Sequence, residues 1–175
     1  MNRLFLTAVA AATLLLVGCA TTAPAGPSAS AQLMPTKGNS VTGQVLFVQK
    51  GDKVLVSGEI RGLAPNTEHG FHIHDKGDCS SGDGMSTGGH FNPDNKPHGD
   101  HDHGEHHAGD LPSLKADASG IAHLNFESGT ITLVSGKTTD ILGHGLIVHR
   151  DPDDYKTQPT GNSGPRLACA VITQN

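Results

Sequence analysis

The chain is short of positive charge: 12 Lys plus Arg stand against 17 Asp plus Glu, for a formal charge of −5, and the basic residues are scattered along it. Without a basic stripe nothing here can neutralise a run of phosphates, which argues against nucleic acid as a partner. A long apolar run is also missing. Leu4 to Val17 comes nearest and falls short of the roughly 20 residues that span hydrocarbon. No apolar stripe of useful length recurs at helical spacing, and each glycine inside a helix costs about 1 kcal/mol. Cysteine is scarce, with Cys19, Cys79 and Cys169 alone, and none sits in the C-x-x-C spacing of a structural zinc site. What the chain has in excess is histidine, 12 in 175 residues, and glycine, 23. The size suits one domain, and the two excesses point to metal and to β structure.

Residues 1–18 read as an address. Arg3 precedes the apolar run, as in a secretory signal peptide. The run ends in Leu16-Val17-Gly18-Cys19, which resembles the lipobox of bacterial lipoprotein precursors, where cleavage leaves an N-terminal cysteine carrying lipid. Ala20 after Cys19 is similar to lipoproteins sorted to an outer membrane. The expected location is the periplasm or cell envelope, with membrane contact through that lipid only; ordinary signal-peptidase cleavage near residues 20–25 is the alternative. Residues 19–39, rich in Ala, Thr, Pro, Ser and Gly, read as a flexible tether, and 40–175 as the folded domain. Export brings an oxidising compartment, so Cys79 and Cys169 read first as a disulfide. Closing a loop of about 90 residues stabilises by roughly 4.6 kcal/mol on the chain-entropy model. A pair of metal-ligating thiols stays open as the other reading.

Short β-branched runs recur between turn signals: Val41 to Val48, Lys53 to Ile60, Gly70 to His74, Ile121 to Phe126, Thr130 to Val134, Ile141 to His149 and Ala168 to Ile172. Gln49-Lys50-Gly51-Asp52 marks a hairpin between the first two. Seven or eight such strands imply an all-β antiparallel sandwich or barrel, and the polar stretches 75–115 and 150–166 are long enough to be functional loops.

His72 and His74, two apart in an expected strand, project from one face. The long loop adds His90, His98, His107 and Asp110, and His149 ends an apolar strand. Imidazoles with one carboxylate suit zinc or copper; calcium and magnesium take oxygen ligands.

Four strings carry a resemblance: Gly70-Phe71-His72-Ile73-His74, Gly89-His90-Phe91-Asn92-Pro93, His107-Ala108-Gly109-Asp110-Leu111 and Gly161-Asn162-Ser163-Gly164-Pro165-Arg166-Leu167-Ala168-Cys169. Together, in this order, they resemble the signatures of copper/zinc superoxide dismutase, over about Ser40 to Ile172. The resemblance implies an eight-stranded Greek-key β-sandwich or flattened barrel with two long functional loops. It implies copper held by His72, His74, His90 and His149, and zinc held by His90, His98, His107 and Asp110, with His90 shared. It further implies Asp153 as the carboxylate behind His72 and His98, Arg166 as the residue that attracts superoxide, catalytic roles for Arg166 and His90, and the Cys79–Cys169 disulfide. The activity implied is disproportionation of superoxide to oxygen and hydrogen peroxide by a redox-cycling copper.

Departures remain. His101, His103 and His106, between two expected zinc ligands, are not required by the family, and Pro165 precedes Arg166. His69, His123 and His144 read as structural or surface residues. A different class, an exported copper- or zinc-buffering lipoprotein, is the alternative that the His-rich loop favours. No motif reports oligomeric state, so a homodimer stays open.

Overall fold

The computed structural model describes residues 26–175. The expected signal peptide and Cys19, the residue expected to carry lipid, lie outside the described residues. Among the described residues ten strands form: β1 (Ser28–Pro35), β2 (Thr42–Lys50), β3 (Lys53–Arg61), β4 (Glu68–His69), β5 (Phe71–His74), β6 (Leu114–Lys115), β7 (Ile121–Ser128), β8 (Gly145–His149), β9 (Arg166–Val171) and β10 (Thr173–Gln174). A single 3-10 turn at Met85–Thr87 is the one helical element among the described residues.

The main sheet runs β5-β8-β9-β1-β2-β3-β7, with β10 joining β1 as its eighth strand. Every ladder in it is antiparallel. β2 and β3 meet across the two-residue turn Gly51-Asp52, where Gly51 supplies the left-handed backbone (φ 62°) that a tight hairpin needs. The later connections jump between the ends of the sheet, from β3 to β5, β5 to β7 and β7 to β8, as a Greek key requires. The short pair β4–β6 ties together the segments leading into the two end strands. The sheet curls around one core, with Leu33, Phe47, Ile60, Phe71, Leu146 and Ile172 fully buried. The all-β antiparallel class expected from the strand pattern holds.

Three expectations change. The tether does not extend to residue 39: Ser28–Pro35 is a strand between β9 and β2. Its inward residues Ala29, Ala31 and Leu33 alternate with Ser28, Ser30 and Gln32, but small side chains and the absence of any β-branched residue hide that period in the sequence. Thr130 to Val134 forms no strand, only the isolated bridge Thr132–Asp140. Ile131 and Leu133 still plug the core, and the Gln49 side chain takes the Leu133 N–H that a ladder would have used. The run from Ile141 becomes strand only from Gly145, after Gly143 turns the chain at φ 80°.

Candidate metal centre

Strand β5 carries His72 and His74, whose rings lie 6.4 Å apart. The long loop after β5 folds back along it in both directions. Ile73 donates to Gly109 O at 2.9 Å and accepts from Phe91 N at 2.8 Å, while Gly109 donates to Phe91 O at 2.9 Å. This backbone lacing bridges His90 to His74 and Asp110 to His72. It requires glycine at position 109, where a β-carbon would lie 2.3 Å from Ile73 O. At the end of β8 a register irregularity between Val148 and His149 turns His149 toward the same place. All seven of these His and Asp side chains, with His98 and His107 included, are buried.

They fall into two sets, each with one donor atom per residue and all donors within 4.8 Å of one another: His72, His74, His90 and His149, and His90, His98, His107 and Asp110. Among the described residues no other group gathers three such donors. In the first set the far side of each ring is tied down. His74 Nδ1 donates to Gly88 O (2.9 Å), His149 Nδ1 to Gly164 O (3.1 Å), and His72 Nε2 to Asp153 Oδ2 (2.6 Å). These bonds fix each tautomer and leave His74 Nε2, His149 Nε2 and His72 Nδ1 facing inward as lone-pair donors. In the second set Asp110 Oδ1 lies 2.8, 3.1 and 3.2 Å from Nδ1 of His90, His98 and His107. Its other oxygen accepts the backbone N–H of Gly99 and His107.

Whether metal fits can be tested on atoms left without partners. His72 Nδ1, His90 Nε2 and His98 Nδ1 are buried and make no hydrogen bond. An unsatisfied buried polar group costs about 1–3 kcal/mol, so three pointing into two small sets are explained by ions that accept their lone pairs. Four nitrogens suit tetragonal Cu(II), and three nitrogens with a carboxylate suit tetrahedral Zn(II).

Protonation agrees. Burial, then neighbouring imidazoles, holds His74 and His149 well below the ordinary histidine value. Burial and His72 bring His90 to about 4, and burial outweighs Asp153 in lowering His72. The first set is therefore neutral and basic at pH 7, as ligands must be. Burial opposes protonation of His98 too, but the carboxylates of Asp110 and Asp153 beside it overcome that and raise the ring to about 9, so zinc would displace its proton on binding. Burial would raise Asp110 and Asp153, yet the histidines bonded to them keep both well below the usual carboxylate range.

Asp153 spans the two sets, bonding His72 Nε2 through Oδ2 and His98 Nε2 (2.9 Å) through Oδ1. Gly161, at φ 62°, leaves room for that carboxylate: a β-carbon there would lie 1.9 Å from Asp153 Oδ1. Arg166, half-buried on β9, is gripped by Gly84 O, Thr87 Oγ1 (2.6 Å) and Gly88 O (2.7 Å). It lines an open cleft of about 230 Å³ with His74, His149, Met85, Thr160, Ser163 and Gly164. The Cys79–Cys169 disulfide is formed and ties the loop that grips Arg166 to β9.

The structure brings every expected ligand together. Residues 41–172 match the family model of copper/zinc superoxide dismutase. The chain belongs to the copper/zinc superoxide dismutase family. Like that family, it is an enzyme that disproportionates superoxide using copper and zinc. It is 38% identical over 147 residues to a Cu-Zn superoxide dismutase of Aquifex aeolicus, covering 82% of this chain and 85% of that one. An extracellular Cu-Zn superoxide dismutase of Brugia pahangi is also 38% identical, over 83% of this chain and 75% of its own. Among solved structures, a double mutant of a superoxide-dismutase-like protein from Bacillus subtilis superposes with a TM-score of 0.75 at 38% identity, over 82% of this chain and 96% of that one. These relationships favour the dismutase over the metal-buffering alternative.

Several working residues of this dismutase were not foreseen. Gln158 brackets the backbone of His98, accepting its N–H at 2.8 Å and donating to its carbonyl at 2.9 Å. The carbonyls of Gly84 and Gly88 hold Arg166. No residue-type signal marks a backbone carbonyl, and Gln158 sits 60 positions from its partner. His69 donates to His149 O at 3.0 Å, a structural role as expected. His144 packs on Phe91, and His123 is exposed beside Glu59.

Proposed function

We propose that His72, His74, His90 and His149 hold copper, that His90, His98, His107 and Asp110 hold zinc, and that Arg166 draws superoxide to the copper side. The observation that carries this assignment is His90, whose Nδ1 belongs to one donor set while its Nε2 is buried and unpartnered in the other. Bound copper supplies a one-electron couple that accepts an electron from one superoxide and gives it to a second, so that two superoxide ions and two protons become oxygen and hydrogen peroxide. The chain's own groups do the rest. Arg166 presents a fixed guanidinium at the cleft, charged at any working pH and planar toward a small anion. It offsets the global repulsion of an anion by a chain of net charge −5. Because His90 Nδ1 faces the set that Asp110 completes, an ion held there would occupy it, and a proton taken up by that ring would go to Nε2. Asp153 holds His72 and His98 in the tautomers that metal binding needs.

The decisive experiment follows superoxide decay by pulse radiolysis for metal-free, zinc-loaded and doubly loaded protein. Near-diffusion-limited turnover should appear only with copper. A doubly loaded protein no faster than buffer would end the assignment.

At its N-terminus, residues 1–18 act as a lipoprotein signal and Cys19 carries lipid, holding the enzyme at the envelope, with the outer membrane favoured. The motif Leu16-Val17-Gly18-Cys19 supports this. Labelled palmitate should enter the wild type and not Cys19→Ala, which should be released as soluble enzyme.

A further inference from the structure

The loop between His98 and His107 carries three histidines that the two metal sets do not use. Gly99 lets its ends meet, since a β-carbon there would lie 2.2 Å from Glu105 O and 3.4 Å from His106 Cβ. That closure brings His101 and His106 together, with ring centroids 5.6 Å apart. Two imidazoles bound to one tetrahedral ion, at about 2.0–2.1 Å per metal–nitrogen bond, place their centroids about 5 Å apart. Inside the zinc set itself the rings of His90, His98 and His107 lie 5.3, 5.4 and 5.5 Å from one another. The pair in the loop has almost the same spacing.

Both rings are also prepared as ligands. His106 Nδ1 donates to His107 O at 2.8 Å, and His101 Nδ1 lies 3.3 Å from Asp102 Oδ1. Each proton is thereby held on Nδ1, and each Nε2 keeps its lone pair, the same outer bonding that orients His74 and His149. His101 is further fixed by edge contact with Phe126, 5.8 Å between centroids. His103 differs: its side chain is 82% exposed and turned to Asp100.

We propose that His101 and His106 form a third divalent-cation site, separate from the copper and zinc sets, that takes Zn(II) or Cu(II). Two protein nitrogens, with water filling the remaining positions, make it weaker than either four-donor set. Isothermal titration of Zn(II) into protein already loaded with copper and zinc tests it. The wild type should take up one further equivalent in the micromolar range, and His103→Gln should do the same. The double variant His101→Gln, His106→Gln should take up none while keeping its copper and zinc content and its melting temperature. No further equivalent in the wild type, an equivalent that survives the double variant, or one lost on His103→Gln would each overturn the proposal.

Discussion

His74 and Arg166 share one carbonyl oxygen. Gly88 O accepts from His74 Nδ1 at 2.9 Å and from an Arg166 guanidinium nitrogen at 2.7 Å. A candidate copper ligand and the cation proposed to draw in superoxide are thus set by the same peptide, on the loop that the Cys79–Cys169 disulfide fastens to β9.

Replacing Arg166 with Ala should therefore cost roughly tenfold or more in the superoxide rate constant, the scale of electrostatic focusing in a cleft. Metal content should be unchanged, and the rate should depend less on salt. Arg166→Lys should fall between, since it keeps the charge but cannot reach three acceptors with a planar fork. Stopped-flow or pulse-radiolysis rates at two ionic strengths measure both effects.

Cutting the disulfide should lower stability and activity together. The bond closes a separation of 90 residues, worth up to about 4–5 kcal/mol by chain entropy. Cys79→Ser with Cys169→Ser should melt several degrees lower, and its rate constant should fall because the Arg166 grip loosens. Calorimetry and radiolysis on metal-loaded protein would show it.

The metal-free protein should be most stable near pH 6.5. Burial holds His72, His74, His90 and His149 below their unfolded value of 6.5, with His90 at about 4. The unfolded chain therefore takes up protons first as pH falls, and stability declines from 6.5 toward 4. His98, raised to about 9, contributes fully below 6.5 and loses its contribution as pH rises through 9. Melting temperatures of stripped protein across pH 4–10 should trace a dome; a rise from pH 6.5 down to 4 would contradict the burial argument.

Asp153→Asn should weaken metal binding by about 10–100-fold, the usual cost of losing a carboxylate behind a histidine ligand. Gly161→Ala should do the same without touching a charge, because the new methyl would occupy the carboxylate's place at a left-handed backbone position. Chelator competition followed by metal analysis distinguishes both from the wild type.

The candidate ligands were legible in the sequence because metal chemistry restricts residue type: His72 and His74 at strand spacing, and His90, His98, His107 and Asp110 along one loop, carry their meaning in their identities. Phe47, Val56 and Ile60 likewise announce buried strand faces. β1 escaped because Ala29 and Ala31 bury as well as valine would but carry no β signal. Thr130 to Val134 misled in the opposite way, being β-branched yet hydrogen-bonded by the Gln49 side chain in place of a neighbouring strand. The supports of the site, Gly84 O, Gly88 O and the Gln158 amide, act through backbone atoms and long-range contacts that residue type does not encode.

The Asp153 carboxylate makes the two donor sets thermodynamically coupled. One oxygen steadies His72 and the other His98, so an ion that locks either ring has already met part of the ordering cost of its neighbour. Linkage requires the benefit to be mutual: whatever factor zinc adds to the affinity for copper, copper returns to zinc. The pair should fill cooperatively, with half-filled molecules scarce at equilibrium, and exchanging Asp153 for Asn should weaken that cooperativity to the part carried by His90, which belongs to both sets.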